Sequence, residues 1–308
     1  MTIRTQFLSM AAALAATLAA VTATAADETG ESPWSGNFGL GAEYDSNVAV
    51  LELDETAGEG DYAGLIDLGI AYEPDLGDNA DFKIGYDFSQ TLYDEFDAFD
   101  LRLHRGSAEF GYDLGVFKAG VMGHYAHAAL DGDEFLILER VSPYLSRLFG
   151  EVLFLRGAYV DSDKEYEDNP DRDADKRAWS ADAFVFLNGL TTYLVFGYDA
   201  VDEDAVAGRF DYDGRKYSTQ FVQRIDAGER ELVFKTRLGY EERDYSEPTP
   251  SIGAERLDER YRAKLSLDVP LSEHWTAQTA YEYADNRSNL PEVDFEQHVG
   301  TLVLNFEF

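Results

Sequence analysis

The sequence contains no cysteine, which excludes disulfide scaffolds, thiolate metal sites and cysteine nucleophiles. Basic side chains are scarce: 25 Lys and Arg stand against 60 Asp and Glu, for a formal charge of -35. So acidic a chain cannot grip nucleic acid by neutralising phosphates, and no nucleic-acid partner is expected. After the first two dozen residues no apolar run is long enough for a membrane-spanning helix. Histidine is also rare, five in 308 residues, which narrows the scope for acid–base catalysis. Aromatic residues are plentiful instead. The 19 Tyr and 20 Phe exclude a disordered acidic tail, because so many rings must pack against something.

At the N-terminus, Arg4 precedes an alanine-rich apolar run over residues 7–21, and Ala23-Thr24-Ala25 supplies small residues ahead of Asp27 and Glu28. This order predicts a signal peptide over residues 1–25, cleaved after Ala25, and export from the cytoplasm. The run is too short and too rich in alanine to read as a permanent anchor, and no stop-transfer segment follows. No cysteine follows to accept a lipoprotein-type anchor. Residues 26–33 then form a short periplasmic lead-in to one domain over residues 34–308.

Within that domain apolar residues alternate with small or charged ones at period two, the spacing of a strand whose two faces meet different surroundings. Tyr62, Ile66, Leu68, Ile70 and Tyr72 share one face, opposite Ala63, Asp67, Gly69 and Ala71. Phe82, Ile84, Tyr86, Phe88 and Leu92 repeat the pattern after a turn at residues 74–79. It returns at Trp179 to Leu187, Leu232 to Tyr240, Leu257 to Val269 and Trp275 to Tyr283.

A soluble sandwich would bury such faces against a second sheet, whereas an outer-membrane barrel gives them to lipid and turns the polar faces to a lumen. Connection lengths discriminate between the two. About fourteen candidate strands, each near the ~10 residues that cross a bilayer at a tilt, alternate between two kinds of connection. Tight turns fall at residues 75–79, 113–115, 147–151, 188–189, 226–229 and 270–273. Longer segments fall at 47–61, 93–98, 130–134, 161–176, 200–209, 244–255 and 285–294. The asymmetry predicts an all-β fold: a transmembrane, antiparallel, up-and-down β-barrel in the bacterial outer membrane, with short periplasmic turns and long acidic extracellular loops. Unpaired backbone groups are costly in hydrocarbon, so the first strand, 34–47, must pair with the last, 295–308. A bulge is expected near residues 105–108. On the last strand Leu302, Leu304, Phe306 and Phe308 share a face, an ending that resembles the insertion signal read by the barrel-assembly machinery.

Basic residues gather on the faces predicted to point inward: Lys83, Arg102, Lys118, Arg156, Lys216, Lys235, Arg237, Arg260, Arg262 and Lys264. Charge at membrane depth must face water rather than lipid. These residues predict either a hydrated, basic-lined lumen or a plugged one in which they pair with Asp67, Asp87, Asp182 and Asp268. The loops are acidic, most densely at Asp161, Asp163, Glu165, Asp171 and Asp173. Asp161-Ser162-Asp163 opens like a calcium loop, but Tyr166 replaces the turn glycine and Arg172 the closing glutamate, which excludes an EF-hand. The group stands as a candidate for diffuse calcium or magnesium binding, of the kind that bridges lipopolysaccharide phosphates, or as a solvated acidic surface. No cofactor is expected.

A barrel enzyme would need a histidine beside a serine or carboxylate. His124 and His127 point to opposite faces of one strand, His104 lies near Arg102, His274 sits at a turn and His298 faces lipid. No catalytic residue is assigned.

Gly41-Ala42-Glu43-Tyr44-Asp45-Ser46-Asn47-Val48 near the start, and Asn286-Arg287-Ser288-Asn289-Leu290-Pro291 ahead of the closing strand, resemble the β-barrel domain of surface lipoprotein assembly modifiers. Those outer-membrane barrels help lipoproteins reach the cell surface, so the resemblance implies a barrel of the same strand number and a lipoprotein client. The tetratricopeptide domain that usually precedes their barrel has no counterpart here, since no helical repeat of roughly 34 residues is visible. The leading reading is transport across the outer membrane, of a protein client or of small solutes through a basic-lined lumen. Lipid, lipopolysaccharide and the assembly machinery are the expected partners. Two alternatives stand beside it: a closed barrel whose acidic loops bind cations or a surface partner, and an outer-membrane lipid-modifying or proteolytic enzyme.

Overall fold

Alternating side chains satisfy two surroundings at once only while the backbone stays extended, and almost the whole described chain is extended. The computed structural model describes residues 32–228 and 230–308, so the leader expected at 1–25 lies outside the described residues, as does most of the 26–33 lead-in. Among the described residues fourteen antiparallel strands form the wall. They are β1 (Trp34–Asp45), β2 (Asp61–Tyr72), β3 (Ala80–Tyr93), β4 (Leu101–Asp113), β5 (Lys118–Leu130), β6 (Asp133–Phe149) and β7 (Leu153–Glu165). The second half comprises β8 (Ala174–Asn188), β9 (Thr192–Ala205), β10 (Tyr212–Asp226), β11 (Glu231–Thr249), β12 (Ala254–Pro270), β13 (Trp275–Ser288) and β14 (Phe295–Glu307). Each strand pairs with its sequence neighbours, and β1 closes on β14.

The closing seam runs from Asn37 opposite Glu307 to Asp45 opposite Val299. Reciprocal backbone bonds between Gly36 and Phe308, at 3.0 and 3.1 Å, extend it. Gly41 allows the two strands to approach, since a Cβ there would lie 2.7 Å from the Leu302 carbonyl oxygen and 2.8 Å from Val303 Cγ2. Closure removes the free edge that hydrocarbon would penalise.

The outward face is apolar around the ring, with Leu40, Leu68, Ile84, Leu145, Leu238, Leu265 and Leu302 all exposed. A continuous apolar belt of this kind is the surface a barrel presents to lipid. Aromatic girdles border it. On the loop side Tyr198, Tyr217, Tyr240 and Tyr261 are direct cross-strand partners, with ring centroids 5.1, 6.3 and 5.0 Å apart. At the terminus end Trp34 meets Tyr72 at 4.8 Å and Trp275 meets Phe306 at 5.1 Å. Amphipathic rings favour these two interfaces.

Several segments expected as loops are strand. β7 and β8 leave only residues 166–173 between them, β11 and β12 only 250–253, and β5 turns into β6 through Asp131-Gly132 alone. Both residues of that turn have positive φ, 47° and 88°, the twist a two-residue hairpin requires. Aspartate and glutamate are weak strand formers, but ladder pairing with a neighbour outweighs that preference. Much of the acidic sequence therefore stands as paired strand beyond the lipid belt.

Candidate functional site

The longest connection, residues 46–60, does not stand outward. It carries the apolar run Val48-Ala49-Val50-Leu51, which gains by leaving water and folds into the barrel mouth, where none of the four is more than 7% exposed. Ala49–Val50 pairs with Glu55–Thr56 as a small hairpin. Val50 and Leu53 pack on Leu103, Ala126, Ala128 and Phe135 of the inner wall. At the base, the Asp45 carboxylate accepts from the Asn47 N–H at 3.0 Å and from Gln297 Nε2 at 2.8 Å, tying the loop to β14.

The hairpin tip reaches the opposite wall. Asp54, held in the left-handed region at φ 58°, accepts hydrogen bonds from Arg256 of β12 at 2.9 and 3.0 Å and from Arg172, between β7 and β8. Arg172 also donates to the Glu52 carbonyl at 3.1 Å. Burial alone would raise the Asp54 carboxyl, but the two guanidinium groups outweigh it and hold the group at about 2. The tip is thus an ion-paired latch across the mouth.

The inner wall is charged. Lys235 pairs with Asp268 at 2.7 Å and Arg260 with Asp258 at 3.2 Å. Arg237 donates to Gln220 at 3.0 Å, Arg262 donates to Asn286 at 2.7 Å, and Lys264 lies in register between Arg237 and Glu282. Lys83 and Lys118 face inward at the terminus end, against Glu73 and Asp81. On the loop side Glu203 holds Lys164 and Lys176 at 2.8 and 3.2 Å, and Glu241 holds Arg243 and Lys216 at 2.7 and 3.4 Å. Across from these, β1 and β2 offer Glu43, Asp45, Asp61 and Asp67, all buried, and neither strand carries a base. Inward bases therefore run from β3 to β12, with acids alone on β1 and β2.

Two expectations are corrected. Arg102 does not line the lumen. Pairing of β4 with β3 and β5 runs without the bulge expected near residues 105–108, and Leu103 takes the inward position to pack beneath Val50. Arg102 consequently points outward, donating to Gln90 at 3.2 Å beside the outward Tyr86–His104 pair. The acidic group also disperses. Asp161, Asp163 and Glu165 lie on the outward face of β7, while Asp171 pairs with Arg209 and Asp173 accepts the Tyr166 N–H, both at 2.6 Å. No group of three or more side chains able to hold a metal ion occurs among the described residues.

No protein-family model and no curated protein matches the chain. Solved structures do. The chain is similar to the anion-selective porin from Comamonas acidovorans at 11% identity, over 89% of this chain and 98% of that one, with a TM-score of 0.51. The fold is that of outer-membrane porins. OprD from Pseudomonas aeruginosa is 11% identical over 90% and 94% of the two chains, with a TM-score of 0.48. OmpT of Vibrio cholerae is 8% identical over 92% and 100%, also at 0.48. With no family model matching, the likeness of two segments to surface lipoprotein assembly modifiers has no support at the level of a family.

Within this porin fold several inward residues were missed in the sequence: Arg105, His124, Arg140, Lys176 and Arg256, with Asp54 and Arg172 in loops. The shifted parity of β4 hid Arg105. The apolar run beside Asp54 was the one signal that its loop turns inward.

Proposed function

We propose that the protein is a channel that passes small solutes, with a preference for anions, across the outer membrane. The observation that carries this reading is the inner wall, where bases from β3 to β12, many of them ion-paired along the same arc, stand apart from β1 and β2, whose buried charges are all acidic. Such charges at membrane depth belong beside water and set the selectivity of a pore. The folded-in connection at residues 46–60 supplies the constriction. A non-enzymatic role fits the histidines: His104 and His298 bond outward tyrosines, His127 pairs with Glu134, and His124 stands among arginines. Leu302, Leu304, Phe306 and Phe308 would serve as the insertion signal for the assembly machinery, while the acidic rim meets lipopolysaccharide.

Planar-bilayer recording on the purified, full-length protein tests the channel. Stable steps with anion preference are expected, reduced or reversed by Arg260→Glu with Arg262→Glu. Silence from a correctly folded barrel would overturn the reading in favour of a sealed barrel that works through its surface.

A second reading, export of a lipoprotein client in the manner of the assembly modifiers, rests on residues 41–48 and 286–291, which flank β14 at the loop end. It would gain if removing this protein from cells stripped a lipoprotein from their surface while solute permeability stayed unchanged.

A further inference from the structure

We infer that the inner wall from β4 to β7 holds a discrete site for one small oxyanion, a carboxylate or phosphate, built by Arg105, His124, Arg140 and Arg156. His124 and Arg140 are direct cross-strand partners, and Arg105 and Arg156 stand close enough for both charges to act on His124. His124, Arg140 and Arg156 border a cavity of about 80 Å³, with Ser142, Ser162 and the carboxylates Asp182 and Asp199 also in its wall, and Arg105 stands beside it on β4. That space suits roughly two or three waters or one compact oxyanion.

What sets Arg105 and Arg140 apart from the other inward bases is the lack of an ion-paired acid. Lys176 is answered by Glu203, Lys216 by Glu241, and Arg156 has Asp182 directly opposite. Arg140 donates its Nε to the Ser162 hydroxyl at 3.1 Å, and neither Arg140 nor Arg105 forms an ion pair among the described residues. The Nε of Arg105 is buried without a hydrogen-bond partner. Arg156 is fixed in place, its guanidinium 4.0 Å from the centroid of the Tyr144 ring. Arg105, Arg140 and Arg156 thus face only Asp182 and Asp199 in the cavity wall, neither of which forms an ion pair with Arg105 or Arg140, and guanidinium groups withdrawn from water in excess of the acids around them favour an anion joining them. Their planar forks match the paired oxygens of a carboxylate or phosphate, and the serine hydroxyls can donate to whatever oxygens remain.

This site deepens the channel reading by giving an anionic solute a resting place, yet binding and conduction can be measured separately. Calorimetric titration of the detergent-solubilised full-length protein would use inorganic phosphate and, separately, succinate. Saturable binding of at least one probe is expected, weakened roughly tenfold or more by Arg140→Gln and by Arg105→Gln. The responding probe identifies the favoured oxyanion. Folding of each variant is verified by heat-dependent gel mobility, and His298→Gln, outside the lumen, serves as the neutral control. Absence of saturable binding by either probe, or binding untouched in both arginine variants, would overturn the site. A barrel that conducts without binding refutes the site alone, whereas one that binds without conducting refutes the channel and keeps the site.

Discussion

Asp54 shows what a single carboxylate can do once it has left water. Its folded pKa of about 2 lies below the ordinary 3.8, so the latch contributes its stability above the ordinary value and loses it as pH falls through about 2. The difference corresponds to ~2 kcal/mol at neutral pH. Asp54→Asn should therefore loosen residues 48–57 at pH 7, seen as faster proteolytic cleavage there and a higher open conductance. The unmodified protein should show the same loosening only as the medium is taken from about pH 4 towards pH 2. Equal cleavage of both proteins at pH 7 would mean that the ion pairs do not hold the loop. Arg256 keeps Asp258 as a partner at 2.8 Å, and Arg172, in the connection between β7 and β8, keeps the Glu52 carbonyl at 3.1 Å, so the wall itself should stay folded.

At the scale of elements, the strands and the 46–60 connection obey different logic. Each strand is held by ladders on both sides, while the loop is held by a small apolar cluster and its latch. Replacing residues 48–57 with a short Gly-Ser turn should leave heat-dependent mobility and circular dichroism unchanged while raising single-channel conductance. Unchanged conductance would show that the loop does not cover the conducting path. The strands were legible because their pattern is local: Tyr62 to Tyr72 and Leu257 to Val269 declare their faces without reference to any partner. β4 was harder. Arg102 differs in face from Leu103 and Arg105 by parity alone, and what settles the parity is Leu103 lying under Val50 of a loop some fifty residues away in the chain. The acidic segments misled for a related reason, since Asp161 to Glu165 read as loop by composition while their pairing partners hold them as strand.

For the whole molecule, stability depends on the solvent chosen for each face. Leu265 points outward in mid-belt, directly opposite Thr236. Leu265→Arg should cost about 2–4 kcal/mol in a bilayer, as charge on the lipid face of a barrel does, and urea unfolding from lipid vesicles measures it. Ser266→Arg, one residue along and facing the lumen, should cost much less. Equal costs would mean that the outward face does not meet hydrocarbon.

Period two over many short segments, alternating connection lengths and the cost of an open edge in hydrocarbon act locally or on the chain as a whole. The barrel, its strand number and its lipid-facing side could therefore be determined from sequence. Which charges meet is a different matter. Asp54 reaches Arg256 across 202 positions and Arg172 across 118, and Arg105, His124, Arg140 and Arg156 come from four strands. Only closure of the wall, which sets register and curvature together, decided those encounters.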